Sequence, residues 1–404
     1  MNGIFSLEGK VQHYAWGGYT FIPQLLGREN PEHEPWAEYW MGAHDKAPSE
    51  ITGRDGGPVP LNRAIADAPE RFLGTETARR FGRLPYLFKV LDVQQMLSIQ
   101  VHPTKAEAEA GFARENAAGI APDAPERNYK DDNHKPEVMV ALSRFWLLHG
   151  FKPEAALRRT LTETPELTDL LPVFEAGGYR ELYREVMEWS QQEVSRRLQP
   201  LLERVLPRYK AQELSRRHPD FWAARAVECG ISSREIPDRG IFSIYFFNIV
   251  QLEPGEAIFQ AAGIPHAYLE GQNMELMANS DNVLRGGLTP KHVDVPELLK
   301  HTRFEAVTPA VLTGAAGAPG EQVYACPVPD FTISRFILEA GMPAHTHRAF
   351  SAEILLTTAG SAVVTDGTGK LVLPRGAVAL VAAGSSYTLH AEDGATLFRA
   401  GVPL

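Results

Sequence analysis

Polar side chains that could bind a metal alternate along one short stretch, residues 96–102. Successive side chains of a β-strand point to opposite faces, so Ser98, Gln100 and His102 are expected to share one face of a strand. A buried hydroxyl, amide and imidazole are costly unless partners satisfy them. Pro103 ends the strand directly after the histidine, where strands often pass into functional loops. The stretch therefore predicts a polar site at a strand end.

A second motif, HKPE at residues 134–137, stands before another apolar stretch. His134 is a base, Lys135 a cation and Glu137 a carboxylate. An imidazole and a carboxylate, with a neutral oxygen donor beside them, suit a borderline-soft divalent ion such as zinc. The alternative is a polar strand at a sheet edge followed by a solvated charged loop, and we prefer the metal site.

A third motif places glycines at 255 and 263 and a histidine at 266. This spacing resembles the second conserved motif of cupin jelly rolls, with Ala261 where proline is usual. The resemblance implies that the histidine lies on a strand facing into a barrel, where it can join the polar set. The candidate metal ligands are then Gln100, His102, Glu137 and His266.

A competing set lies near the C-terminus and resembles the first cupin motif. Its residues are Gly341, His345, His347, Glu353 and Gly360. The second conserved cupin motif of the same barrel should supply a further histidine. The chain has Tyr387 at that place, with His390 three residues further on. We therefore expect the C-terminal barrel to bind no metal.

Length and composition limit the class of protein. A chain of 404 residues is too long for one ordinary core, so two or three domains are expected. The formal charge of −10 is spread along the chain without a basic stripe, which argues against nucleic acid as a partner. Two distant cysteines fit a reducing compartment. No secretory signal and no stretch of membrane-spanning length is visible, so we expect a soluble cytoplasmic protein without a membrane partner.

The elements that must position these residues are mostly strands. Residues 84–92 form a near-continuous apolar run that suits a buried strand, with Lys89 inside it. That lysine is either snorkelling at the strand end or held near an anion, and the two interpretations are equally good from the sequence. Residues 242–252 also predict one buried strand.

The predicted fold class is mainly β with a helical insertion, as two cupin-like jelly-roll barrels plus an α-helical subdomain. Leucines at helical spacing mark residues 151–235 as the helical subdomain. Residues 1–150 and 236–315 are expected to build the N-terminal, catalytic cupin-like domain. Residues 316–404 contain many short strands with glycine-bearing turns and are predicted to form the C-terminal cupin-like domain.

Six segments together resemble the type I mannose-6-phosphate isomerases over nearly the whole chain. They are LFKVLD (87–92), LSIQVHP (97–103), NYKDDNHKPE (128–137), DRGIFSIYF (238–246), PHAYLEG (265–271) and MANSDNVLRGGLTPK (277–291). In that family a zinc ion is held by a glutamine and a histidine of the IQVHP motif, the glutamate of HKPE and a later histidine. These match the four candidate ligands, and the family's catalytic arginine corresponds to Arg285. The chain departs at Gly286 and Ala261, neither of which is a candidate ligand.

The resemblance implies reversible aldose–ketose isomerisation of mannose 6-phosphate and fructose 6-phosphate through a cis-enediol, with one zinc per chain. Negative charge would develop on O1 and O2, where zinc and a fixed guanidinium can stabilise it. The proton-transferring base stays open among His134, Lys135 and Glu275. The phosphate contacts suggested are Ser98, Lys89 and Lys291. The expected partner is this small sugar phosphate, and a monomer is expected.

Two alternatives come from other classes. A non-catalytic, sugar-binding or regulatory cupin should lack a ligand or the arginine, and none is missing here. An iron-dependent cupin oxygenase should show two histidines and one carboxylate without cations for a phosphate. For Arg285 itself, the alternative to catalysis is a structural ion pair with Asp281 or Glu275.

Overall fold

The computed structural model describes residues 3–53 and 56–403 and contains two antiparallel β-sheets and a helical region. The strands are β1 (Ile4–Glu8), β2 (Lys10–Gln12), β3 (Glu38–Gly42), β4 (Glu50–Thr52), β5 (Val59–Pro60), β6 (Tyr86–Val93), β7 (Gln100–Val101), β8 (Glu137–Ala141), β9 (Phe145–Phe151), β10 (Phe247–Leu252), β11 (Ala257–Gln260), β12 (His266–Ala278), β13 (Leu284–Arg285), β14 (Ala315–Ala316), β15 (Glu321–Tyr324), β16 (Thr332–Leu338), β17 (His345–Arg348), β18 (Glu353–Asp366), β19 (Gly369–Pro374), β20 (Val378–Val381), β21 (Ser386–His390) and β22 (Ala395–Gly401). The helices are α1 (Phe21–Leu26), α2 (Leu61–Asp67), α3 (Pro69–Leu73), α4 (Thr75–Phe81), α5 (Lys105–Ala117), α6 (Glu154–Glu163), α7 (Leu171–Glu188), α8 (Gln191–Lys210), α9 (Pro219–Glu228), α10 (Gly240–Phe246) and α11 (Val295–His301), with a 3-10 helix at Pro165–Leu170.

The first sheet has the strand order β10-β9-β12-β6-β3-β2, and β7, β8, β11 and β13 attach beside this path. The second sheet has the order β14-β15-β16-β22-β18-β20-β1-β4-β5, with β17, β19 and β21 attached. The beginning of the chain therefore belongs to the sheet that its end builds, and Ile4 lies opposite Val381. The two sheets are consequently not separated in sequence at residue 316.

Strand β12 organises the first sheet because it borders β6, β7, β8 and β9 along its 13 residues. Its first residue, His266, lies opposite Gln100 of β7, and Glu275 lies opposite Lys89 of β6. One long strand therefore fixes the relative register of β6, β7 and β8, which carry Lys89, Gln100 and Glu137.

The helices α6 to α9 fall within residues 151–235, as the leucine spacing predicts. Their buried faces share a hydrophobic core with β9 and α10, including Leu198, Trp222 and Phe246. A second core joins the two sheets and contains Phe88 from the first and Ile354 from the second. No helix in the described part of the chain is long and apolar enough to cross a membrane.

Two strand predictions were wrong in extent. Residues 240–246 form α10, and only Phe247–Leu252 is a strand. The Asp238 carboxylate accepts a hydrogen bond from the backbone N–H of Gly240 at 2.7 Å, which favours a helical start there. In residues 96–102 only Gln100–Val101 is a regular strand, because the backbone N–H of Leu97 and of Ile99 bond to two different segments.

Candidate active site

Three buried side chains meet at the ends of β7, β8 and β12. Glu137 Oε1 lies 3.4 Å from His102 Nε2, and Glu137 Oε2 lies 3.3 Å from His266 Nε2. The potential ligand atoms all lie within 4.8 Å of one another. Among the described residues, no other group of three or more histidines, cysteines and acidic residues is so arranged. The three residues therefore form a candidate metal centre.

Whether a cation fits between these side chains depends on which nitrogen of each imidazole carries a proton. His102 Nδ1 donates to the Asn282 carbonyl and His266 Nδ1 to the Ile264 carbonyl, both at 2.9 Å. Burial lowers the pKa of His102 to about 4, so its ring is neutral and its Nε2 carries a lone pair. That buried Nε2 makes no hydrogen bond and faces a carboxylate oxygen, which is also an acceptor. Acceptors converging on one point fit a divalent cation, and this donor set suits zinc.

Glu137 is ionised in this surrounding. Burial alone would raise its pKa, but the neighbouring Lys135 cation favours the carboxylate, and the pKa lies well below its ordinary value. Lys135 Nζ lies 3.2 Å from Glu137 Oε1. The carboxylate is thus available as a ligand, with a cation beside it.

A cavity of about 60 Å³ opens next to this centre. Six of the residues predicted from the sequence line it: Lys89, Gln100, Lys135, Glu137, His266 and Glu275. Glu38 also lines the cavity, and sequence reasoning missed it. The signal that could have indicated it is an acidic residue at the head of a strand otherwise as apolar as β3.

Lys89 lies between two carboxylates inside the cavity wall. Its Nζ is 3.0 Å from Glu275 Oε2 and 3.3 Å from Glu38 Oε2, with the Trp40 ring 5.2 Å away. Burial would lower the pKa of Lys89, but the two carboxylates outweigh it and raise that pKa. Of the two interpretations of this lysine, the structure supports a cation held near anions, in the middle of β6 rather than at its end.

Arg285 lies opposite Gln100 in the β7–β13 pair. Its guanidinium forms no ion pair or hydrogen bond with the residues that the structure describes. Asp281 instead pairs with Lys46 at 2.6 Å, and Glu275 pairs with Lys89. Both partners of the structural alternative are therefore occupied. Burial lowers the pKa of Arg285, as expected for a cation taken from water without a counter-ion.

The remaining candidates, Ser98, Lys291 and His134, do not line this cavity. Lys291 is exposed, and desolvation followed by repulsion from the Arg285 charge lowers its pKa. Ser98 is half-buried, two residues before Gln100. His134 is not part of the cavity wall, because its Nε2 lies 2.9 Å from the buried Asp330 carboxylate. That contact joins the HKPE loop to the residues that precede β16.

The C-terminal set is arranged differently. Tyr387 lies opposite His347 in the β17–β21 pair and donates its hydroxyl hydrogen to Glu353 Oε2 at 2.6 Å. Arg399 Nη1 lies 3.9 Å from Glu353 Oε1. A hydroxyl and a guanidinium therefore satisfy the carboxylate that a metal would otherwise need.

Comparisons with known proteins agree with one another. A family model described as phosphomannose isomerase type I, catalytic domain, matches residues 4–154. Curated mannose-6-phosphate isomerases include one from Salmonella typhimurium, 42% identical over 94% of this chain and 95% of its own, and one from Homo sapiens, 33% identical over 96% of each. A solved structure of the Salmonella typhimurium mannose 6-phosphate isomerase, bound to its substrate f6p and a zinc atom, covers 100% of both chains at 38% identity with a TM-score of 0.85.

Proposed function

The chain belongs to the type I phosphomannose isomerases, and on that premise we propose that it interconverts mannose 6-phosphate and fructose 6-phosphate with one zinc ion as cofactor. The observation that carries the proposal is the convergence of the His102, Glu137 and His266 acceptors on one buried point. A donor set of this kind with a cavity beside it suits a catalytic zinc rather than a structural one.

Gln100 is proposed as the fourth ligand. It lines the same cavity and lies opposite His266 in the sheet. The three carboxylates and two lysines of the cavity wall together carry one net negative charge. A divalent ion makes the site positive, which favours an anionic enediolate over the neutral sugar.

The reaction moves a proton between C2 and C1 through a cis-enediol after the sugar ring opens. Zinc, when bound, would supply a Lewis acid for the charge that develops on O1 and O2. Arg285 would add a fixed planar cation next to Gln100, and its lack of a counter-ion among the described residues supports that role.

For the base, the positions favour Lys135 and Glu275 over His134. The first two line the cavity, whereas His134 is bound to Asp330. Burial raises the pKa of Glu275 despite the neighbouring Lys89, and a carboxyl with a raised pKa is better matched to proton transfer near neutral pH. The two can be distinguished by running the reaction from fructose 6-phosphate in deuterated water and measuring deuterium at C2 of the mannose 6-phosphate formed. If Glu275 is the base, this incorporation should be lost in Glu275→Gln and retained in Lys135→Met.

For the phosphate, we propose Lys291 and Ser98 at the edge of the site and keep Lys89 as a weaker candidate. The repulsion between the Lys291 and Arg285 charges, which contributes to the lowered pKa of Lys291, supports a site for an anion. Lys89 already neutralises two carboxylates, so a phosphate there would compete with them.

At the level of the fold, we propose that each sheet, together with the strands attached beside it, closes into a cupin-like jelly roll. We keep the division into residues 1–150 with 236–315, 151–235 and 316–404, with β1, β4 and β5 contributing to the second barrel. A monomeric, cytoplasmic protein remains the expectation.

The proposed function is tested by comparing turnover of mannose 6-phosphate with that of unphosphorylated mannose, at matched protein and metal content. The specificity constant should be far higher for the phosphorylated sugar, because binding of the phosphate can orient the reacting carbons. Equal constants would identify a free-sugar isomerase, and no turnover of either sugar would overturn the proposal.

A further inference from the structure

Asn282 makes an unusually complete set of hydrogen bonds. Its side chain is fully buried. Oδ1 accepts from the backbone N–H of Lys130 at 2.7 Å and of Asp131 at 3.2 Å. Nδ2 donates to the carbonyls of Asp131 at 2.7 Å and Asn133 at 2.9 Å. One amide therefore holds both the donors and the acceptors of a single loop, residues 130–133.

The backbone of the same residue contacts the metal centre. The Asn282 carbonyl accepts the hydrogen bond from His102 Nδ1 that leaves Nε2 free as a ligand atom. Three residues further on lies Arg285, and the clamped loop continues directly to Lys135 and Glu137. The Asn282 amide thus lies where the arginine segment, the glutamate loop and one histidine meet.

We propose that Asn282 is a positioning residue that aligns the ligands His102 and Glu137 and the Arg285 guanidinium with one another. It acts through the loop and through its own carbonyl, and it contacts no substrate. Only a side-chain amide offers an acceptor and two donors in this geometry. The inference rests on the proposed zinc site, but zinc binding can be measured without regard to which sugar is turned over.

A purely structural role is the alternative, and the surroundings allow the two to be separated. The Asp131 carboxylate accepts from Asn282 Nδ2 only at 3.3 Å, and it accepts from Ser280 Oγ at 2.8 Å and from the backbone N–H of Asp281 at 2.7 Å. The bonds to Ser280 and Asp281 hold the loop at residues 130–133 to the segment at residues 280–282 without the Asn282 amide. Removal of that amide should therefore leave a folded protein with a displaced site.

The experiment uses Asn282→Leu, which keeps the shape and removes all the side-chain hydrogen bonds but not the backbone carbonyl, and Asn282→Ala, which leaves room for water. The matched control is Asn248→Ala, because the Asn248 amide also donates to main-chain carbonyls, those of His149, Gly150, Phe151 and Val307, but does not touch the clamped loop. Zinc dissociation constants are measured by chelator competition, alongside apoprotein melting temperatures, kcat and KM.

Zinc should bind roughly 10–100-fold more weakly in both Asn282 variants, the usual effect of removing a partner that orients metal ligands. Turnover number should fall more than KM rises, and Asn248→Ala should lose melting temperature only. If one Asn282 variant fails to fold, the zinc affinity of the other variant tests the inference. Zinc affinity within twofold of wild type in a folded Asn282 variant would overturn the inference, and so would an equal loss of affinity in Asn248→Ala. Absence of zinc binding by the wild-type protein would instead overturn the proposed function.

Discussion

At the scale of single residues, the candidate metal centre depends on which nitrogen of each imidazole carries the proton. Backbone carbonyls at Asn282 and Ile264 accept from Nδ1, so both Nε2 atoms face Glu137 as acceptors. Without a cation this arrangement brings lone pairs together in a buried place, which is costly. The local backbone therefore holds the ligands in a form that a divalent metal stabilises.

Arg285 gives the sharpest prediction for one residue. Arg285→Lys should keep zinc content and melting temperature, because the guanidinium has no protein partner to lose among the described residues. Turnover should fall by roughly two orders of magnitude, since an ammonium cannot reproduce the planar, forked donor geometry. The matched control is Arg335→Lys, whose guanidinium binds the Gln322 amide oxygen in the second sheet, and it should turn over at the wild-type rate.

Steady-state kinetics and thermal unfolding of the two variants check this expectation. If Arg285→Lys keeps full turnover and loses melting temperature instead, the arginine is structural and the enediolate needs another cation.

At the scale of elements, the sequence predicts a strand, a helix or a site well where its pattern has a period or a motif. The leucine spacing in residues 151–235 predicts a helical region, and the helices α6 to α9 lie there. The continuous apolar run at residues 242–252 has no period, so α10 could not be distinguished from a strand. Glu38 was missed for a related reason, because its contact with Lys89 joins residues far apart in sequence. Residue alternation placed Gln100 and His102 together, but only the folded chain shows that Lys89 is already neutralised.

The elements β17, β18 and β21 carry the next prediction. His345→Ala combined with His347→Ala should leave zinc content and isomerase turnover near wild type, because Tyr387 and Arg399 already satisfy Glu353. Circular dichroism establishes that the double variant is folded. The companion variant His266→Ala, in β12, should lose zinc and turnover together. A folded double variant without turnover would mean that the active metal centre lies in the second sheet.

At the scale of the whole molecule, the two sheets share a core, and strands from the beginning of the chain lie in the second sheet. Strands β1, β4 and β5 lie in the second sheet, and Tyr86 of β6 donates its hydroxyl hydrogen to the Ala352 carbonyl at 3.0 Å. His134 of the HKPE loop is bound to Asp330. The position of the candidate site therefore depends on contacts with the second sheet as well as on the first.

This coupling predicts one cooperative unfolding transition. All six tryptophans lie between residues 16 and 222, whereas Ile354 lies in β18 and packs in the core common to both sheets. Ile354→Ala should lower the free energy of unfolding by about 2–5 kcal/mol, the usual cost of such a cavity, and tryptophan fluorescence in urea should report the whole loss. The matched control is Val372→Ala, because Val372 is an exposed aliphatic residue in β19. A tryptophan transition unaffected by Ile354→Ala would show that the two sheets unfold independently.

The central claim is that one zinc at His102, Glu137 and His266 is required for isomerisation, and titrating the chelated protein with zinc tests it most directly. Turnover of mannose 6-phosphate should be absent after chelation, rise in proportion to added zinc and level off at about one zinc per chain. His266→Ala should show no such plateau at the same zinc concentrations. Full turnover in chelated protein that retains less than about a tenth of a zinc per chain would contradict the account.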